Sequence, residues 1–249
     1  MTLGSLILIS LLILFVASLY SSVGHGGASG YLAVMSFFAF APATMSSTAL
    51  VLNVLVAGVA LYAYHKAGHL SLGLAWPFIL LSVPAAFVGG LLQISDRAYF
   101  LVLAAVLVFA AFRLAVDPSQ REAALERKSV SLTVSLPVGA GIGLVSGIVG
   151  VGGGIFLSPL LILMRWADTK QTSATSALFI LVNSIAGLGG RFAKGTLQLE
   201  DVLPLILAAF IGGLVGSHFG ANKFSGLVLR RLLAAVLVVA AVKMVLASS

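Results

Sequence analysis

Long apolar runs alternate with short polar segments along almost the whole chain. Most runs have the length, roughly 20 apolar residues, that a helix needs to cross a bilayer. They cover residues 2–22, 70–92, 98–116, 130–149 and 227–246, with further runs up to Ala41, from Ser46 to Tyr64 and from Thr175 to Arg191. The pattern predicts an all-α polytopic membrane protein embedded in a lipid bilayer. Ser46-Ser47-Thr48 is the predicted N-terminal cap of the helix that runs to Tyr64.

Two of the apolar runs are interrupted by glycine. The segment from Ser146 to Leu161 contains five glycines and a proline. Val23-Gly24-His25-Gly26-Gly27 matches Val149-Gly150-Val151-Gly152-Gly153 at a spacing of 126 residues. Irregular backbone at membrane depth is tolerated only where it is buried in protein or lines a cavity. We therefore predict two glycine-broken helix hairpins inside the protein.

Other landmarks repeat as well. They recur in the same order in both halves of the chain: Asn53 and Asn183, Pro77 and Pro204, and Phe87–Leu91 and Phe210–Leu214. We predict a first repeat over residues 1–116, a charged linker over 117–129 and a second repeat over 130–249. Each repeat consists of a glycine-broken hairpin followed by three transmembrane helices. The glycine pairs Gly89-Gly90 and Gly212-Gly213 are expected to be sites of close helix packing.

Composition agrees with a membrane-embedded chain. Of the 249 residues, 60% are hydrophobic and 8% are charged, and the mean hydropathy is +1.17, whereas soluble domains carry about 25% charged residues. No basic segment precedes residues 2–17, so we expect them to be a mature helix rather than a signal peptide. The absence of cysteine excludes disulfides and thiolate metal sites.

The net charge of +7 indicates membrane orientation and does not predict a nucleic-acid partner. If each half crosses the membrane an odd number of times, the second repeat is inverted, and ten basic residues share one face against four on the other. An even number of crossings divides them eight to six. The ten are Lys66, Arg113, Arg121, Arg127, Lys128, Arg165, Lys170, Lys223, Arg230 and Arg231, and the four are Arg97, Arg191, Lys194 and Lys243. The positive-inside rule therefore predicts a cytoplasmic linker and both termini outside.

Inverted repeats with broken helices at the midplane are the usual architecture of secondary transporters. Glycine breaks leave backbone N–H groups free near helix N-termini, where the helix dipole favours an anion. All acidic residues lie at the ends of the apolar runs or in loops, so we expect no metal site, no catalytic residue and no cofactor. The predicted substrate-binding residues are Ser21, Ser22, Gly24, His25, Gly26, Gly27, Thr48, Asn53, Ser146, Gly150, Gly152, Gly153, Thr175, Ser176 and Asn183.

His25 is the predicted proton carrier of this site. It stands among the free backbone donors, where the second half has Val151. A histidine changes charge in the physiological pH range, so protons are the expected coupling ion.

The glycine run Gly150-Val151-Gly152-Gly153-Gly154 with Pro159-Leu160-Leu161 resembles the TauE/SafE family of sulfite exporters and anion permeases. The helix with Thr175, Ser176 and Asn183 and the pair Gly212-Gly213 are similar too. The resemblance covers both halves. It implies a transporter of small sulfur anions such as sulfite, sulfoacetate or other sulfonates, located in the cell inner membrane. The first half departs from the pattern, with His25 inside the glycine run and Ala33 where the second copy has Pro159.

Two alternatives stay open at this point. Gly27-Ala28-Ser29-Gly30 looks like the Gly-x-Ser-Gly segment of rhomboid proteases, with His218 as a distant base. Against it, the second copy has Ile155 where the first has Ser29. A purely structural membrane protein is the other alternative, although it would not need two polar breaks. The sequence leaves open which anion is moved, in which direction, and the oligomeric state.

Overall fold

A computed structural model describes residues 3–115, 129–199, 202–220 and 237–246, and within these ranges it contains ten α-helices and no strand. The helices are α1 Leu3–Ser21, α2 Ala28–Phe37, α3 Pro42–Lys66, α4 Leu72–Leu91, α5 Asp96–Ala115, α6 Leu132–Val149, α7 Gly154–Leu163, α8 Thr169–Lys194, α9 Leu203–Gly220 and α10 Leu237–Leu246. Five of them, α1, α3, α4, α6 and α8, are long and apolar enough to cross a membrane. The all-α prediction is confirmed. Nearly all of the predicted linker lies outside the described residues.

The third helix begins earlier than predicted. It starts at Pro42, because proline has a φ suited to the first turn and needs no hydrogen bond there. The hydroxyl of Ser46 donates to Pro42 O over 2.8 Å, which places it in the second turn. The prediction that Ser46-Ser47-Thr48 caps the helix is therefore wrong. Likewise, α8 begins at Thr169 and is capped by Asp168, whose carboxylate accepts from the amide of Gln171.

Two short helices follow the glycine segments. Both α2 and α7 have ten residues, and each is preceded by an N-cap glycine in the left-handed region, Gly27 with φ of +96° and Gly153 with φ of +82°. Gly24 and Gly150 also have positive φ, +74° and +89°. Glycine adopts this conformation without the steric cost that a Cβ brings. The long helix before each segment thus ends at a run with left-handed glycines, and a short helix follows that run.

Contacts between helices follow the same scheme in both halves. The helix α4 packs on α6 and α8, and α9 packs on α1 and α3. If each helix is replaced by the helix five positions away in chain order, α4 becomes α9, α6 becomes α1 and α8 becomes α3. The contacts of α4 then become the contacts of α9. The central contact, between α3 and α8, maps onto itself. The short helices α2 and α7 pack on α3 and α8 respectively.

Glycines allow α4 and α6 to touch backbone to backbone. A Cβ at Gly143 of α6 would overlap the carbonyl oxygen of Ser82, and one at Gly147 would overlap that of Ala86. Gly89 meets the carbonyl oxygen of Leu144 in the same way. Such small-residue contacts are the usual means of close helix association in membranes. The expected packing role of Gly89 is therefore confirmed.

Candidate functional site

The two glycine segments meet at Asn53, which is fully buried in α3. A Cβ at Gly26 would overlap the Asn53 carbonyl Oδ1, and one at Gly152 would come within 2.5 Å of its Nδ2. The Asn53 Nδ2 donates to Val151 O over 3.2 Å. Ile180 of α8 also contacts both glycines, since its Cγ2 would lie 3.0 Å from a Cβ at Gly26 and 2.9 Å from one at Gly152. One carboxamide and one isoleucine therefore contact both breaks, which are 126 residues apart in the chain.

Backbone donors are concentrated at this meeting point. Within the described ranges, no hydrogen bond is found for the N–H groups of Gly26, Gly27, Gly152 and Gly153. Gly27 and Gly153 are the N-cap residues of α2 and α7, whose first amides have no partner inside the helix, and Gly26 and Gly152 directly precede them. Both helix dipoles therefore direct their positive ends at the breaks. This arrangement favours an anion.

A small cavity lies between the two breaks. It has a volume of about 10 Å³ accessible to the centre of a water molecule, which is enough for about one water. The lining residues are Tyr20, His25, Gly26, Gly27, Ala28, Ser29, Val151, Ile155 and Ile180. Both breaks contribute to it. A ligand of several heavy atoms does not fit this volume.

His25 connects the first break to the second short helix. Its Nε2 lies 2.8 Å from the hydroxyl of Ser158 in α7, and its Nδ1 lies 2.9 Å from Val23 O. A carbonyl oxygen only accepts, so Nδ1 carries a proton. In the neutral ring, Nε2 then accepts from Ser158.

Ser158 has alternative partners for the other charge state of His25. Its Oγ lies 2.9 Å from Gly154 O and 2.7 Å from the hydroxyl of Ser176. When the histidine ring is charged, Nε2 donates to Ser158, whose own proton can turn to Gly154 O. Both charge states of His25 are thus hydrogen-bonded without any movement of heavy atoms.

Comparison with known proteins agrees with this arrangement. The family model described as "Sulfite exporter TauE/SafE" matches residues 9–244. The chain belongs to the TauE/SafE family. It is 36% identical over 232 residues to a Sinorhizobium fredii protein named "Probable membrane transporter protein y4hK", covering 92% of this chain and 94% of that protein. No solved structure matches the chain. This TauE/SafE chain is accordingly a multi-pass membrane transporter.

Family membership argues against the protease alternative, and so does the surrounding of Ser29. The Ser29 hydroxyl pairs with the hydroxyl of Tyr20 over 2.8 Å. His218, the base proposed for a protease, is exposed and lies in the last turn of α9. Among the residues that the structure describes, no base of the kind that activates a serine nucleophile is hydrogen-bonded to Ser29.

The remaining predicted site residues of this TauE/SafE chain fall into two groups. Thr48, Thr175 and Ser146 are buried, and among the described residues their hydroxyls have no hydrogen-bond partner. Ser21 and Ser22 donate to carbonyls of their own helix, at Ser18 and Leu19.

Asn183 lies one helical turn beyond the meeting point. Its Nδ2 donates to Phe179 O within α8 over 2.8 Å, and its Oδ1 has no partner in the described part of the chain. Ile180, not Asn183, shares the Gly26 and Gly152 contacts with Asn53. The equivalence of the two asparagines in sequence therefore does not extend to their surroundings.

Sequence reasoning missed several polar residues around the cavity. Ser158, Tyr20 and Ser173 are the main ones, and Ser173 donates to Val23 O over 3.0 Å. Ser158 had a detectable signal, because it lies four residues after Gly154 and therefore on the same face of a short helix. Tyr20 had none, since a tyrosine at the end of an apolar run is common at membrane interfaces.

Proposed function

We propose that this transporter carries small sulfur-containing anions, of the sulfite, sulfonate or sulfoacetate type, by alternating access around the two glycine breaks. The observation that carries the proposal is the position of Asn53 between Gly26 and Gly152. Two sets of unpaired N–H donors and two helix N-termini converge there. Described side chains lining the cavity carry no carboxylate, so an anion meets donors without like-charge repulsion.

The small volume of the cavity supports a mechanism in which the breaks separate during transport. Room for about one water is too little for the anion, so the site must open to one face or the other. The helix contacts support two related halves, residues 1–116 and 130–249. In one set α4 packs on α6 and α8, and in the equivalent set α9 packs on α1 and α3. Rocking of one half against the other around a fixed site is the common form of alternating access.

Matching contacts at the breaks support the same division. The backbone of Gly24 packs on Ser173, and that of Gly150 packs on Ser46. Each break thus rests on the long helix of the opposite half. The break residues, with Asn53, Ser158 and Ser176, are the residues that we propose to bind the anion. Thr48, Thr175, Ser146 and Asn183 would form the outer part of the site, because their unpaired oxygens are available to a ligand or a hydrated path.

His25 is the proposed proton-binding residue. Its two hydrogen-bonded charge states fit a group that gains and loses a proton during the cycle. When charged, it adds a positive charge to a site rich in N–H donors. Protonation and anion binding would then strengthen each other, as linkage requires.

The proposed orientation places the linker in the cytoplasm and both termini outside, with the second half inverted. Because the chain has no cysteine, single cysteines can be labelled without background. Ala67 follows α3 and Leu199 follows α8, and both are exposed. A membrane-impermeant maleimide should label Leu199→Cys but not Ala67→Cys in intact cells. Labelling of both, or of neither, would contradict inversion, and the opposite pattern would reverse the orientation.

Transport itself is tested in proteoliposomes. Purified protein is reconstituted with each of sulfite, thiosulfate, sulfate, sulfoacetate and taurine inside, and efflux is followed against empty liposomes. We expect efflux of at least one sulfite- or sulfonate-type anion, lowered in Asn53→Ala and unchanged in Gly141→Ala, whose Cβ would meet nothing within 4 Å. Absence of flux for all five anions would refute the proposal.

A further inference from the structure

Arg191 is a buried cation near the C-terminus of α8, with 6% of its surface exposed. Its Nη2 donates to the carbonyl oxygens of Gly147 and Ile148, over 2.9 and 2.8 Å, in the last turn of α6 before the Gly150 break. Its Nε has no hydrogen-bond partner, and no carboxylate pairs with the guanidinium among the residues that the structure describes. A buried arginine in a membrane-spanning helix, with no carboxylate paired to it among the described residues, points to a functional site.

The first half makes the same contact without a charge. There the hydroxyl of Tyr64 donates to Ser22 O over 3.4 Å, in the residue that follows α1. Tyr64 and Arg191 are 127 residues apart, and Ser22 and Ile148 are 126 apart. In both halves, therefore, a side chain of the long helix, α3 or α8, donates a hydrogen bond to a carbonyl at the end of the helix that precedes the break, α1 or α6. Since a neutral hydroxyl does this in one half, the contact by itself does not require a cation.

The charge of Arg191 thus needs a second explanation. The carbonyls at the end of α6 carry part of a negative charge, which offsets only part of the cost of burying a full positive charge. A bound anion would supply the rest. Arg191 donates to the carbonyl oxygens of Gly147 and Ile148. Val151, three residues after Ile148, lines the cavity.

We infer that Arg191 supplies the fixed positive charge that balances the substrate anion on the second-break side of the site. The inference rests on the proposed function and adds to it a charge-selecting residue. The two breaks then differ: the first carries the titratable His25, and the second carries a permanent charge. Because Coulomb energy is proportional to the charge of the ligand, Arg191 should favour a divalent anion over a monovalent one.

The test compares two anions that differ in charge. Binding of methanesulfonate, which is monovalent, and of sulfoacetate, which is divalent at pH 8, is measured by calorimetry on detergent-solubilised protein. Arg191→Tyr introduces the residue of the other half, Arg191→Gln keeps an N–H donor, and Arg191→Lys keeps the charge. Tyr64→Phe is the matched control, because it removes the equivalent contact without changing any charge.

We expect the two neutral variants to lose about tenfold in methanesulfonate affinity and about a hundredfold in sulfoacetate affinity, since twofold ligand charge doubles the free-energy loss. Arg191→Lys should preserve the preference for the dianion, and Tyr64→Phe should not change it. Equal loss for both anions, or no loss, would show that Arg191 only tethers α6. If the unmodified protein binds neither anion, the proposed function itself fails. Thermal unfolding of each variant identifies those that are folded, and Gln and Tyr provide two independent neutral replacements.

Discussion

The Nε2 atom of His25 lies 2.8 Å from the hydroxyl of Ser158, a residue 133 positions further along the chain. The contact joins the first glycine break to the short helix of the second. It brings the titratable side chain of one half into direct contact with the other half. A change in the charge of His25 therefore acts on both halves at once.

Replacement of His25 by glutamine should remove the pH dependence of anion binding. On the proposal that His25 binds the coupling proton, the affinity for methanesulfonate should fall by about tenfold as pH rises from about 5 to about 8. Methanesulfonate is used because its own charge is constant in this range. The other titratable side chain among the described residues that line the cavity is Tyr20, which ordinarily titrates near pH ~10. Calorimetric titrations at several pH values measure the slope.

The control for this experiment is His218→Gln, at an exposed histidine in the last turn of α9. It should keep the slope of the unmodified protein. If His25→Gln keeps that slope too, the coupling ion does not bind at His25.

The two asparagines should differ in their effect on binding. Asn53→Ala removes a carboxamide that touches both breaks, and a lost hydrogen bond to a charged ligand costs about 1.5–3 kcal/mol, or tenfold to a hundredfold in affinity. Asn183→Ala removes a side chain whose amide is bonded within its own helix, so its effect should be smaller. Equilibrium binding of methanesulfonate to both variants measures the difference. Equal losses of affinity would mean that Asn183 contacts the anion as Asn53 does.

Gly24 should not tolerate alanine. At its φ of +74° an alanine is strained by about 1–2 kcal/mol, and its Cβ would also come within 2.6–2.8 Å of Ser173. Gly68→Ala is the matched control, with a φ of +79° and nothing within 4 Å of the added Cβ. Thermal unfolding in detergent should show a large fall in midpoint for Gly24→Ala and a small one for Gly68→Ala. Similar midpoints would mean that Gly24 is not in tight contact with α8.

Close packing of α6 on α4 gives a second pair of glycine variants. Gly143→Ala places a Cβ on the carbonyl oxygen of Ser82, whereas Gly141→Ala, two residues away in the same helix, points into open space. The first should lower the unfolding midpoint. The second should leave it unchanged or raise it slightly, since alanine favours a helix by about 1 kcal/mol over glycine. A fall for both would indicate a general sensitivity of α6 to side chains.

Much of this architecture follows from local pattern. The apolar runs predicted the helices because a bilayer-spanning segment must satisfy its own backbone hydrogen bonds. The glycine segments at residues 24–27 and 150–153 predicted the breaks, because left-handed φ values are accessible to glycine at little cost. Local pattern did not fix where helices start: a serine-rich segment at Ser46 predicted a cap, but Pro42, four residues earlier, begins the helix.

Pairing of residues across the two halves needed the tertiary structure. Sequence alone related Asn53 to Asn183, since both are asparagines in matching helices. Packing instead places Ile180 with Asn53 against Gly26 and Gly152, because a helix turns by about 100° per residue and a shift of three residues changes its neighbours. Tyr64 and Arg191 are chemically different side chains, so the sequence did not relate them. Their equivalence became visible only through the carbonyls to which they donate hydrogen bonds.

The sequence by itself determined the class of protein, the helical fold and the presence of two broken helices, because these depend on hydrophobicity and glycine conformation within one segment. Only the tertiary structure decided which groups meet: His25 with Ser158, Arg191 with the end of α6, and the two breaks with Asn53. These contacts join residues more than 25 positions apart. They depend on how helices pack and turn against one another, and no local pattern carries that information.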